Sequence, residues 1–209
     1  MFAVSTSPIA AKLLNQNSQV DGVIIAFWRM AFGAMILWGF SVFKNQQGFK
    51  NNKNLKRSIL SGFFLGLHFA FFFVALDLTK MANAVFLGTL TPVFTLILEI
   101  FVLKRRFSFW VYAGLACALL GAVVILIGAP FDPKNSDMLG NMCALICSLI
   151  LAISFLISEK VRQSENTVVY TRTLYTSATI TLFLISIIFS KELFPTTNQT
   201  SIFLGYLYL

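Results

Sequence analysis

The chain has 209 residues, 57% of them hydrophobic and 11% charged, with a mean hydropathy of +0.80. A soluble domain of this size cannot hide so much apolar surface, so the composition indicates a membrane protein and excludes a soluble globule. The net charge of +8 does not point to nucleic acid. Its cations sit in short connectors between apolar runs, without a basic face or a helix-turn-helix or zinc-finger pattern.

A helix needs about 20 apolar residues to cross about 30 Å of hydrocarbon. By that measure spans are expected at 1–14 (short), 23–43, 58–78, 84–103, 108–128, 139–158 and 168–190, with 201–209 as a partial eighth. The expected fold class is all-α, a polytopic membrane helix bundle. The first residues lack a basic n-region and an A-x-A site, so no cleavable signal peptide is expected. Connectors alternate in charge. Lys44, Lys50, Lys53, Lys56 and Arg57 fill one, Lys104, Arg105 and Arg106 another, and Lys160 and Arg162 a third. The intervening connectors hold at most one cation each: Lys80, Lys134 and Lys191. The positive set belongs in the cytoplasm, which makes the N-terminus cytoplasmic and the protein multi-pass in the cell membrane.

Ionisable groups inside a span cost on the order of 3 kcal/mol, so they face a cavity or a partner. Arg29 lies roughly 9 Å inside the outer boundary of its span. It reads as a carboxylate-binding group lining a cavity, the competing reading being snorkelling to the outer interface. In 58–78, Gly62, Gly66 and Ala70 recur every four residues as a packing seam. His68, mid-span and opposite that stripe, has two readings: titration in a proton-coupled cycle, or a neutral ring hydrogen-bonded to a neighbouring helix. Asp77 and Lys80, three apart, read as an interfacial pair.

In 84–103, Pro92 should loosen the helix and free carbonyls that need other partners. Thr89, Thr91 and Thr95 add hydroxyls beside it. Glu99 lies only some 7–8 Å from Lys104 and the cytoplasmic boundary. Its i+3 and i+4 neighbours, Val102 and Leu103, offer no ion pair. A partner must come from another helix or from Lys104 bending back, and a role as a cytoplasmic gate stays open. A second small-residue seam is expected at Gly114, Ala118, Gly121 and Gly128. Cys117, Cys143 and Cys147 read as small packing residues, and no metal site is expected. Arg172, about four residues into its helix, is expected to snorkel toward the cytoplasm.

A weak internal repeat is present. "AVSTSPIAAKL", a polar turn and "FWRMAFGAMIL" resemble "AISFLISEKV", a polar turn and "YTRTLYTSATI". Ala3-Val4-Ser5 pairs with Ala152-Ile153-Ser154, and Phe27-Trp28-Arg29 with Tyr170-Thr171-Arg172. Five intervening spans would invert the second copy, the pattern of many secondary transporters.

Residues 82–128, "ANAVFLGTLTPVFTLILEIFVLKRRFSFWVYAGLACALLGAVVILIG", resemble the end of an EamA-type repeat of the drug/metabolite transporter superfamily. The shared features are a small-residue entry, a mid-helix Pro-Val-Phe, a basic turn ending in Ser and a Gly-spaced helix closing in Gly. The resemblance implies inverted five-helix repeats and transport of small metabolites or drugs by alternating access. It divides the chain into a first repeat, 1–128, and an incomplete second, 139–209, so a partial chain or a decayed reading frame is expected. In the family the turn after the fourth helix usually reads Gly-Glu-Arg-Leu-Ser. Here it is Lys104-Arg105-Arg106-Phe107-Ser108, so the family acid's role does not pass to Glu99.

The expected translocation path is Arg29, His68, Thr89, Thr91, Pro92 and Thr95, with Glu99 and His68 as gate or proton-coupling candidates. No catalytic constellation, metal or cofactor is expected, because the single histidine has no imidazole partner and no phosphate-cradling loop occurs. Expected partners are a small-molecule substrate and the lipid bilayer, with a homodimer or a complementary half-transporter as the protein partner. The alternative is a non-transporting remnant.

Overall fold

The computed structural model describes residues 21–127 and 136–190. The expected spans at 1–14 and 201–209, and Gly128, lie outside the described residues. Among the described residues seven helices follow in order: α1 (Gly22–Phe43), α2 (Asn52–Leu78), α3 (Met81–Gly88), α4 (Thr91–Phe101), α5 (Phe109–Ile127), α6 (Ser136–Ser164) and α7 (Thr167–Ile188). Three start at side-chain caps, which satisfy amide donors that a helix start leaves free. Asp21 accepts from Val23 N at 2.9 Å, Asn51 from Lys53 N at 2.9 Å and Asn166 from Val168 N at 2.8 Å.

By length and composition, α1, α2, α3 with α4 taken together, α6 and α7 are able to cross a membrane. In α5 the apolar helix, Phe109–Gly121, is shorter. The 27 residues of α2 and 29 of α6 make about 40 Å of helix, more than the hydrocarbon needs. The surplus is polar and lies at one end of the bundle: Asn52–Arg57 at the start of α2, and Glu159, Lys160 and Arg162 near the end of α6. Backbone hydrogen bonding continues past the apolar run, which is why these helices begin or end several residues beyond the expected spans.

α2 is the centre of the bundle, packed most extensively against α6 and then α7, while α1 lies mainly on α7. The contacts fix the directions. Asn54 meets Ser164, Ser61 meets Ser154, and Thr79 meets Asn141, so α2 and α6 are antiparallel. Gly62 lies against Leu174 and Ser177 and Gly66 against Ala178 and Thr181, so α2 and α7 are parallel. Phe27 touches Phe183 and Trp38 donates to Thr176, which makes α1 antiparallel to α7. The core contains Ile24 and Ile25 of α1, Ala75 of α2, Leu87 of α3, Ala144 of α6 and Leu182 of α7.

The glycine seam of α2 is a close helix contact. A Cβ on Gly62 would sit 2.4 Å from the Leu174 carbonyl oxygen, and one on Gly66 2.7 Å from Thr181 Cβ. The matching expectation for α5 is not met among the described residues. A Cβ on Gly114 would meet nothing within 4 Å, and one on Gly121 only reaches Phe86 at 3.8 Å. α5 packs thinly on α4, and Phe109, Trp110, Leu120 and Val124 stay exposed.

Candidate functional site

The expected fourth span is two helices with a break at Thr89–Leu90, and Pro92 stands in the first turn of α4. Proline has no N–H, so the Gly88 carbonyl loses its donor four residues on. Hydroxyls take over along the break. Thr91 Oγ1 donates to Gly88 O at 3.4 Å, Thr89 Oγ1 to Phe86 O at 2.8 Å, and Ser148 Oγ of α6 to Leu87 O at 2.5 Å. The carbonyl freed by Pro92 therefore finds its partner in Thr91, while the adjacent Leu87 carbonyl, which also accepts from Leu90 N at 3.3 Å, is reached from a neighbouring helix. Thr95 Oγ1 also donates to its own helix, at Thr91 O, 2.9 Å. With these protons engaged, the three threonines face any ligand as acceptors. Thr91 is buried, Thr95 half-buried and Thr89 exposed.

His68 is 8% exposed. Its Nδ1 lies 2.9 Å from the Cys147 carbonyl of α6. A carbonyl only accepts, so Nδ1 carries the proton and donates, leaving Nε2 as the free lone pair. The ring stacks on Phe72 (centroids 6.2 Å, interplanar 16°) and meets Phe69 edge-on at 5.1 Å. Arg29, half-buried on α1, lies over the Phe69 ring, with Cζ 5.6 Å from its centroid. Phe72 in turn lies against Gly88, where a Cβ would come within 3.0 Å of its ring. Arg29, His68 and the α3–α4 break are thus joined through Phe69 and Phe72. Two grooves of about 520 and 900 Å³ flank α2 and α7, and none of the expected path residues lines either.

Glu99 has a partner that spacing did not indicate. Lys104 adopts a left-handed backbone (φ 53°), which turns the chain back so that Arg105 N reaches Glu99 O at 3.1 Å. The Arg105 side chain then bridges Glu99 Oε1 at 3.0 Å and Glu159 Oε1 of α6 at 2.6 Å. The hydrogen bond donated to Glu159, and then the charges of both acids, push the Arg105 guanidinium further above its usual value. The residue standing where the family usually has an acid is thus the cation that joins α4 to α6. Neither Lys104 nor another helix alone supplies the partner of Glu99.

Arg172 corrects a second expectation. It does not extend to the interface but is only 9% exposed. One Nη donates to Ser41 Oγ of α1, and the guanidinium lies 4.5 Å from the Trp38 ring centroid. Its Nε has no hydrogen-bond partner. Depth along the helix suggested snorkelling, but the side chain points sideways into α1.

The α2–α6 interface also holds polar contacts at Asn54 and Ser61 that the span-by-span reading missed, beside the His68 bond to a neighbouring helix that it offered as one of two readings. Asn54, Ser61 and His68 are spaced seven apart and each bonds α6. Asn54 Nδ2 donates to Ser164 Oγ at 3.2 Å, and Ser61 Oγ lies 2.7 Å from Ser154 Oγ and 2.6 Å from Ser158 Oγ. A seven-residue polar interval on an apolar helix was the available signal, because that spacing returns to one seam between packed helices.

The EamA-like transporter family matches over residues 1–127. An uncharacterized transporter of Synechocystis sp. is 34% identical over 97 residues, 44% of this chain and 28% of that protein. The matched stretch therefore spans little more than a quarter of that relative. A crystal structure described only as that of a protein aligns with a TM-score of 0.61 at 20% identity, over 99% of this chain and 72% of the other. That likeness shows a shared fold. With its apolar helices and a family match across more than half its length, this multi-pass membrane chain belongs to the EamA-like transporter family, of the drug/metabolite transporter superfamily.

Proposed function

We infer that the chain is a secondary transporter of small metabolites or drugs, built on inverted repeats and working by alternating access in the cell membrane. The observation that carries this reading is the broken α3–α4 helix, with Arg29 and His68 linked to it through two phenylalanines. Polar groups held inside apolar helices are costly and mark substrate or ion pathways. In transporters, broken helices commonly supply the site. α1 and α7, the second helices of the two similar units, run antiparallel, as inversion requires. The N-terminus is assigned to the cytoplasm because the cation-rich connectors 44–57, 104–106 and 159–167 share one side.

In this reading Arg29 holds a carboxylate-bearing substrate, His68 offers Nε2 to a proton or a substrate donor, and the threonine oxygens accept hydrogen bonds from the cargo. Glu99, Arg105 and Glu159 close the cytoplasmic end. The test is flux of a labelled small-metabolite panel, carboxylates first, into proteoliposomes containing the purified chain. Saturable flux is expected. Arg29→Ala should lower it about tenfold or more, the scale of a lost charge-assisted contact. Absence of flux for every compound, from folded protein beside an active full-length relative, would sink the transporter reading in favour of a remnant. Undiminished flux through Arg29→Ala and His68→Ala would remove these site assignments alone.

A further inference from the structure

The larger groove, about 900 Å³, runs between α2 and α7 and is lined at one end by Arg172 and Lys56. Further along it is lined by Leu60 and Phe63 of α2 and Ile180 and Leu184 of α7. α2 and α7 are parallel here, so both walls change from basic to apolar in the same direction. Among the described residues no acid lines the groove. We propose that it binds an anionic phospholipid, the phosphate held between Arg172 and Lys56 and one acyl chain lying along Leu60, Phe63, Ile180 and Leu184.

Three observations carry this. Arg172 is more than nine-tenths buried, and among the described residues its Nε has no partner and no carboxylate pairs with it. A buried guanidinium with one hydroxyl and one aromatic face is under-compensated, and an anion completes it. Lys56 is exposed at the rim, so its ammonium is able to reach the same phosphate from the aqueous side. From Arg172 to Leu184 the helix rises about 18 Å, close to the depth of one bilayer leaflet, roughly 15 Å. A free anion has no use for that apolar run, and in a zwitterionic lipid the headgroup's own ammonium offsets the attraction of the phosphate to the two cations. In the orientation proposed above the groove opens to the cytoplasmic leaflet; the binding itself does not depend on transport.

Trp38, which also lines the groove, provides the readout. Replacing Trp28 and Trp110 by Phe leaves it as the sole tryptophan of the three in the chain. Full-length protein in nanodiscs is titrated with brominated-chain phosphatidylglycerol or brominated-chain phosphatidylcholine, and Trp38 quenching is measured. The anionic lipid is expected to quench at lower mole fraction. Lys56→Gln should reduce that preference about fivefold, the contribution of one basic side chain near an anionic surface. Arg172→Gln should reduce it at least as much. Lys56 makes no core contact, so its variant keeps the test decisive if Arg172→Gln is unstable. Equal quenching by the two lipids, or a preference unchanged in Lys56→Gln, would overturn the proposal. Abolition of the preference by millimolar inorganic phosphate would overturn it too, by assigning the cations to a soluble anion.

Discussion

On α2, a Cβ at Gly62 would lie 2.4 Å from a backbone oxygen of α7; on α5, a Cβ at Gly114 would meet nothing within 4 Å among the described residues. The two helices carry the same kind of small-residue stripe, and α5 is the more uniformly apolar of the two. What separates them is the neighbour. The stripe on α2 faces α7 at Leu174, Ser177, Ala178 and Thr181, while the opposite side of α2 bonds α6 through hydroxyls and His68. A small-residue stripe marks a helix that is able to come close to another. Only a partner of matching shape turns that ability into a contact.

The comparison is broken most directly at the glycines. Gly62→Val should destabilise the bundle at or beyond the upper end of the ~1–3 kcal/mol range for overpacking, because the nearest obstacle is backbone that cannot rotate away. Gly114→Ala should do the reverse, stabilising by roughly 0.5–1 kcal/mol through helix propensity alone. Reversible unfolding in mixed detergent micelles measures both. If the two glycines respond with the same sign, the contrast between the stripes is wrong.

A smaller effect belongs to the hydroxyl seam. Ser61→Ala removes the donor to Ser154 O at 3.1 Å and the contacts to Ser154 and Ser158 Oγ, yet Ser158 keeps its bond to Ser154 O at 2.6 Å. Because the remaining hydroxyls stay satisfied, the loss should be about 0.6–1.7 kcal/mol, the range of interhelical hydrogen bonds inside membranes. A double-mutant cycle with Ser158→Ala checks it. A coupling energy near zero would mean that the seam holds by shape alone.

Much of this architecture is legible in the chain. The apolar runs, the break at Pro92 and the seam at Gly62 and Gly66 each follow from a local property: span length, a missing N–H, a missing Cβ. What was not legible depends on which direction a side chain takes around its helix and which helix it meets. Arg172 and Glu99 were both judged by depth below the interface. For Arg172 the deciding fact was that Trp38 and Ser41 of α1 lie beside it, which no spacing within α7 reveals. For Glu99 it was the left-handed Lys104, a non-glycine residue in a conformation that side chains disfavour. The heptad-spaced Asn54, Ser61 and His68 form the intermediate case. Their period was readable, but α6 as their partner was not.

The smallest effect on stability should come from Arg105. Its bridge joins α4 to α6 at the cytoplasmic end in the proposed orientation, but all three side chains reach solvent, with 43% of Arg105, 19% of Glu99 and 25% of Glu159 exposed. Water and salt screen such pairs, and holding long side chains in one geometry offsets part of the attraction. Arg105→Gln should therefore leave the unfolding midpoint unresolved from wild type, far from the response at Gly62. Its consequence should appear in opening instead. With the bridge gone, a cysteine placed at Thr95, one turn inside Glu99, should react faster with a membrane-impermeant maleimide than the same cysteine beside Arg105, and high salt should narrow the difference. A clear loss of stability in Arg105→Gln would make the bridge part of the α4–α6 packing. Equal labelling rates at low salt would remove it as a gate.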